Sequence, residues 1–187
     1  TVLQILITPP EEDVSTPIEP GQFDFEGLRG DKHYGLTLLT HGRQPEYPRG
    51  TAIRNTRQIT ILSREDLITT SAELGIEKID IRWLAGNLLV TGFPYLSLLP
   101  LGSRFLFQNG VVLVCNGEND PCSKPARITQ ENYPEKTNVK SKFVKAAMHR
   151  RGVTAWVEHP GSMQSNEEFH IELPAPWDPY WKELIDK

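Results

Sequence analysis

The sequence predicts a mainly β fold, a small closed β-barrel of about seven to eight strands with two or three inserted helices. Two observations carry this. Short β-branched or aromatic runs recur along the chain, each bounded by Gly, Pro or Asn turn chemistry. Helical periodicity is confined to a segment opening at Ser63 and another between Lys136 and Arg151. A chain of 187 residues can bury a sizeable core in one domain. We expect that domain to span 1–187, with its core at about 22–173 and a Pro/Trp-rich tail at 174–187 in which Trp177, Tyr180 and Trp181 pack on the body.

Val2 to Ile7 reads as the first strand, and the proline-bearing, acidic stretch from Pro9 to Gly21 as an exposed loop. Gly27 to Gly35 carries three glycines and places Asp31 and His33 two residues apart, facing the same way if extended. Such a loop can present an acid and an imidazole together; equally, it can be a glycine turn capped by Asp31. His41 to Thr56 is a long polar loop, and Gln58 to Leu62 alternates as a strand.

Ser63 then caps a helix whose apolar side is Leu67, Ile68 and Leu74 and whose stop is Gly75. Arg82 to Gly92 reads as a short turn or helix followed by a strand, with Asn87 at its start as a cap or as a ligand donor. Arg104–Phe107 and Val111–Cys115 form a hairpin across Asn109-Gly110, whose positive φ angles suit a tight turn. The Lys136–Arg151 helix has Val139, Phe143 and Ala147 on one side and a cationic end ended by Gly152, which reads as a solvated face. Strands at Val153–Glu158 and Phe169–Leu173 complete the set.

Apolar residues are 38% and charged residues 24% of the chain, ordinary for a folded globular protein. No run approaches the roughly 18–20 apolar residues of a membrane span, and Thr1 to Ile7 lacks the flanks of a signal peptide. We therefore expect a cytoplasmic protein with no membrane partner. The net charge of −4 argues against nucleic acid as a partner. Locally, Arg29, Lys32, His33, Arg43, Arg49, Arg54 and Arg57 crowd the first third, either as a basic concavity for a small anion or as solvated surface charge.

Two cysteines do not make a disulfide framework, and the spacing of Cys115 and Cys122 is not that of a zinc site. Cys115 ends a strand; Cys122 leaves the turn-forming stretch Asn116–Pro121. A loop thiol beside Lys124 and Arg127 is the better candidate for ionisation, nucleophilic attack or binding a soft metal.

Taken together, several pieces resemble the MOSC family, the domain found also at the C-terminus of molybdenum-cofactor sulfurases. They are Gly30–Gly35, Arg57-Gln58-Ile59 with Leu62-Ser63, Ala85–Leu89 through Gly92, Pro100–Ser103, Asn119-Asp120-Pro121-Cys122, and Arg151–Glu158. The resemblance implies a MOSC-type barrel whose Cys122 is the ligand of molybdenum in a molybdenum cofactor. It further implies reduction of N-hydroxylated or N-oxide substrates, small molecules, with electrons from a redox partner. Asp31 and His33 then join Cys122 as catalytic candidates, and Arg29, Arg54, Arg57, Asn87 and Arg127 as cofactor-binding ones, with His149 a further donor. The alternative is a carrier of persulfide sulfur or of the cofactor, served by a sulfur donor protein. Pyridoxal phosphate is not expected, because in sulfurases its lysine belongs to another domain. Two departures stand out: Gly86 where the family often has Glu, and Asn166-Glu167 where it often has Gly-Asp.

Overall fold

A computed structural model describes residues 1–42 and 44–175. Arg43 and the predicted tail contacts of Trp177, Tyr180 and Trp181 lie outside the described residues. In the first half the strands are β1 (Val2–Ile7), β2 (Thr16–Pro17), β3 (Gly21–Asp24), β4 (Gly27–Leu28), β5 (Thr37–Leu39), β6 (Ala52–Arg54) and β7 (Ile59–Ser63), followed by α1 (Arg64–Leu74) and β8 (Leu88–Val90). The second half adds β9 (Arg104–Phe107), β10 (Val112–Glu118), α2 (Ser123–Glu131), α3 (Val139–Ala146), β11 (Val153–His159), β12 (Gly161–Met163) and β13 (Phe169–Glu172).

Eight strands make one sheet in the order β13-β9-β10-β11-β7-β8-β1-β2, with β12-β3-β4 and β5-β6 as smaller sheets. The mainly β class holds, and α1 serves as the crossover between the parallel pair β7 and β8. The expected barrel is not completed by a strand ladder among the described residues, since the sheet ends at β13 and β2. At one corner the ends do meet: the Val2 amide donates to the Glu167 carbonyl (2.9 Å), and the Asn166 amide to that of Val2 (2.8 Å). Asn166 has φ 67°, the left-handed conformation that glycine and asparagine take most readily. Glu167 is buried, and its carboxylate accepts from Asn109 and from the Gln164 amide. The departure from Gly-Asp therefore keeps both the backbone angle and the carboxylate.

Strand alternation assigns the two faces of the sheet. Ile59, Ile61, Leu88, Val90, Leu113, Cys115, Val153, Ala155 and Val157 point into one apolar core. Leu6, Leu62 and Leu89 point the other way, against a second core supplied by α1, α2 and α3. The helices thus cover one face only.

α1 begins and ends as the sequence predicts, with the Ser63 hydroxyl accepting from the Asp66 amide and Gly75 closing it at φ 67°. Ile68 differs: it is 58% exposed, and Thr70 and Ser71 turn inward instead, their hydroxyls donating to carbonyls four residues back. α3 is shorter than the predicted Lys136–Arg151, because His149 takes φ 60° and turns the chain away. α2 has no counterpart in the sequence reading. Its Pro125 is tolerated because amides in a first turn have no intrahelical acceptor.

Gly152 sits where β11 begins, at φ 74°, and a Cβ there would lie 2.0 Å from the Ile61 carbonyl oxygen. Gly110 has a similar φ, 91°, but open space around it. Gly152→Ala is expected to cost more than about 3 kcal/mol in denaturant unfolding, whereas Gly110→Ala costs about 1 kcal/mol, the conformational penalty alone. Equal losses in the two variants would remove the close approach as the cause.

Candidate functional site

The path to Cys122 starts in β10, whose register against β11 shifts between Cys115 and Glu118. Beyond the shift the Asn119 amide donates to the Gly152 carbonyl (2.9 Å), and its side-chain oxygen accepts from Arg57 Nη2 (3.1 Å). Pro121 then delivers Cys122 to the N-cap of α2, where unpaired backbone N–H groups carry a partial positive charge. Cys122 is half-buried and lines a cavity of about 550 Å³, a size usual for small-molecule sites. Cys115 is 2% exposed inside the core, where burial pushes its thiol up despite the Gly117 amide that donates to Sγ (3.3 Å). The two thiols are therefore chemically distinct.

His33 lines the same cavity and Asp31 stands behind it. The Asp31 carboxylate accepts from the His33 amide and bonds His33 Nδ1 (2.8 Å each), and also accepts from the Thr8 amide and Asn87 Nδ2 (2.7 Å each). Burial alone would raise this carboxyl, but the His33 bond and charge, with the amides of Thr8 and His33, hold it below its usual range. With Nδ1 given to the carboxylate, the second ring nitrogen of His33 is the one available to a ligand. The loop is thus both of the things its sequence allowed, a turn capped by Asp31 and a support for an imidazole.

Asn87 does not reach the cavity. It is fully buried, its Oδ1 accepting from the Thr60 amide and its Nδ2 donating to the Leu6 carbonyl as well as to Asp31. Next to it, a Cβ on Gly86 would fall 2.5 Å from atoms of both Leu62 and Ile81, so packing accounts for glycine at the position where the resemblance led us to expect Glu.

Of the predicted cations, Arg57 lines the cavity. Arg29 is exposed and paired with Asp24, Arg54 lies over the Trp156 ring on the surface, and His149 pairs with Glu118. Arg127 bonds Glu131 one turn on and reaches Asp13 (3.5 Å), outside the cavity lining. Lys124 does line the cavity, but its ammonium pairs with Asp13. Lys32, also in the lining, donates to the Glu12 carbonyl (2.9 Å), and burial together with the nearby Lys124 charge lowers its amine.

The sequence reading missed Arg151 and Thr154. Arg151 is 6% exposed and lines the cavity, with Nη2 donating to the Leu84 carbonyl. Thr154 lies on the helix-covered face of β11, opposite Thr60 of β7. The available signal was the polar residue in an otherwise apolar Val153–Val157 strand, on the face opposite Val153 and Ala155. Among the described residues, no group of three or more His, Cys, Asp and Glu could hold a metal ion, and no helix is long and apolar enough to cross a membrane.

A model of the MOSC domain matches residues 38–170. The chain is also 39% identical over 158 residues to a protein of Bacillus subtilis (strain 168) named a putative metal-sulfur cluster biosynthesis protein, YuaD, covering 84% of this chain and 82% of that one. The crystal structure of B. subtilis YuaD is similar at a TM-score of 0.87 and 36% identity, over 91% of this chain and 93% of that chain. YiiM from Geobacillus stearothermophilus shares the fold at a TM-score of 0.64 and 14% identity, over 92% of this chain and 74% of the other. The chain belongs to the MOSC domain family.

Iodoacetamide is expected to label Cys122 in the native protein and Cys115 only after denaturation, as read by peptide mass spectrometry. Native labelling of Cys115 first would reverse the choice of thiol. A carboxyl held low in the fold stabilises it above the ordinary aspartate range, and that contribution fades as pH falls through the folded value. Asp31→Asn should therefore lower stability at pH 7 and flatten the acid limb of the stability–pH curve. An unchanged acid limb would show that Asp31 is not held low.

Proposed function

We propose that this MOSC protein binds a molybdenum cofactor in the cavity, with Cys122 ligating the metal, and reduces N-hydroxylated or N-oxide substrates with electrons from a partner protein. The supporting observation is a single half-buried thiol in a cation-lined cavity whose described residues offer no cluster of metal ligands. A metal held here must bring most of its own ligands, as a metal chelated by an organic group does. When bound, that group supplies the two-electron redox chemistry that removing oxygen from nitrogen requires.

The remaining roles belong to side chains. His33 donates a proton to the departing oxygen through its second ring nitrogen, and Asp31 fixes its tautomer and orientation. Asn87 acts through Asp31, and Arg57 is the cation of the predicted set that can touch the ligand. The printed name of the B. subtilis relative, a putative metal-sulfur cluster biosynthesis protein, favours a second reading in which Cys122 carries persulfide sulfur.

Protein made in a molybdenum-replete host separates the two. Stoichiometric molybdenum that is lost in Cys122→Ser is the expected result. One extra sulfur atom on Cys122 in the intact mass, without metal, would transfer the assignment to the carrier. Protein carrying neither would overturn both.

A further inference from the structure

We propose that the outer edge of β13 is a homodimer interface, at which two copies of this chain pair their β13 strands antiparallel about a two-fold axis at Ile171. The Gln108 amide donates to the Glu168 carbonyl (3.0 Å), and the register continues as Phe107 with Phe169 and Leu106 with His170. Backbone bonding groups alternate sides along an antiparallel strand, so Glu168, His170 and Glu172 aim theirs at β9. Phe169, Ile171 and Leu173 aim theirs away from it. The Glu167 carbonyl bears out the alternation, since it lies on the outer side and accepts from the Val2 amide (2.9 Å). Past that contact, no strand pairs with the outer side of β13 among the described residues.

An open edge is a template for another strand, and edges that stay single are blunted. β2, at the other end of the sheet, is blunted: it has two residues, and one is Pro17, which has no amide hydrogen to offer. β13 reads Phe-His-Ile-Glu, with neither proline, glycine nor lysine to discourage pairing.

The edge is also complementary to itself. Val2 fills it at Glu167, so a partner strand has Phe169, Ile171 and Leu173 to bond, and only a two-fold centred on Ile171 uses all three. That centre pairs Ile171 with its own copy and Phe169 with Leu173 of the second copy. Phe169 and Ile171 pack on the first core, whereas Leu173, on the same face, is left 60% exposed; the second copy's phenyl ring covers it. On the opposite face, exposed His170 meets exposed Glu172 of the second copy, and the symmetry makes this pair twice. These are the positions between backbone bonds, where opposed side chains approach most closely. An imidazole donates to a carboxylate there, and no two like charges face each other. Backbone bonds supply the affinity of such an added strand, and the side-chain pairs its register.

Sedimentation velocity over a concentration series tests the interface. The parent chain should sediment as a dimer that dissociates on dilution. His170→Glu sets carboxylate against carboxylate in both cross-strand pairs and should raise the dimer dissociation constant by about ten-fold. Exchanging the two, His170→Glu with Glu172→His, makes the partners complementary again and should return the constant to the parent's value. Lys142→Glu, on the exposed side of α3, should dimerise like the parent. All three variants change solvent-facing side chains, so the dilute monomers should unfold at the parent's temperature, which damage to β13 itself would lower.

Amide hydrogen exchange reads the edge directly: Ile171 and Leu173 should be protected in the dimer and exchange in the dilute monomer. A parent chain that stays monomeric when concentrated, a dimer indifferent to His170→Glu, or an exchanged variant that fails to recover would each overturn the proposal. So would protection of Ile171 in the monomer, which would assign the edge to a segment of the same chain.

Discussion

One buried carboxylate fixes the geometry of this protein more than any other group. Asp31 comes from a loop, yet its oxygens collect N–H groups from Thr8, His33 and Asn87, and Asn87 in turn binds the backbone of Leu6 in β1 and Thr60 in β7. A charge in that setting is tolerable only when fully answered by donors. Satisfying it therefore requires β1, β7, the start of β8 and the glycine loop to be in one arrangement. The position of His33 beside the cavity follows from that arrangement, as does the orientation of Thr60 at its floor.

The sheet then does two jobs with one set of strands. A period of two sends Ile59, Ile61, Val153 and Ala155 into the core and leaves Thr60 and Thr154 on the opposite face. A register slip of one residue would exchange the two sets, so core packing and the chemistry of the cavity floor are enforced together. Gly152 makes the same coupling local. Its contact with the Ile61 carbonyl draws the start of β11 against β7, placing Arg151 on one side and Thr154 on the other.

The parts of this design that depend on neighbours in sequence were legible there. Ser63 and Gly75 marked α1, Asn109-Gly110 marked the hairpin, and turn chemistry before Cys122 separated it from the strand residue Cys115. Parts that depend on distant neighbours were not. Arg151 looked like the solvated end of a helix, but His149 breaks that helix early and the close approach at Gly152 pulls Arg151 inward. Asn87 looked like a ligand donor because nothing local announces Asp31 as its partner, 56 residues away. Arg127 stood near Cys122 in sequence, but α2 turns it toward Glu131 and Asp13. Charge near in sequence is a poor guide to charge near in space once a helix intervenes.

The mouth and the floor of the cavity are held by interactions of different strength, and that difference bears on entry. At the mouth, Asp13 ties its loop to Lys124 and Arg127 through exposed ion pairs, which water and salt screen strongly. At the floor, Arg151, Thr60 and Thr154 sit on buried backbone whose contacts are set by the sheet and by Gly152. Displacing Asp13 from α2 therefore costs little and leaves the floor untouched. The Asp13 pairs can therefore rearrange at the mouth while the floor, fixed by the pairing of β7 with β11, does not.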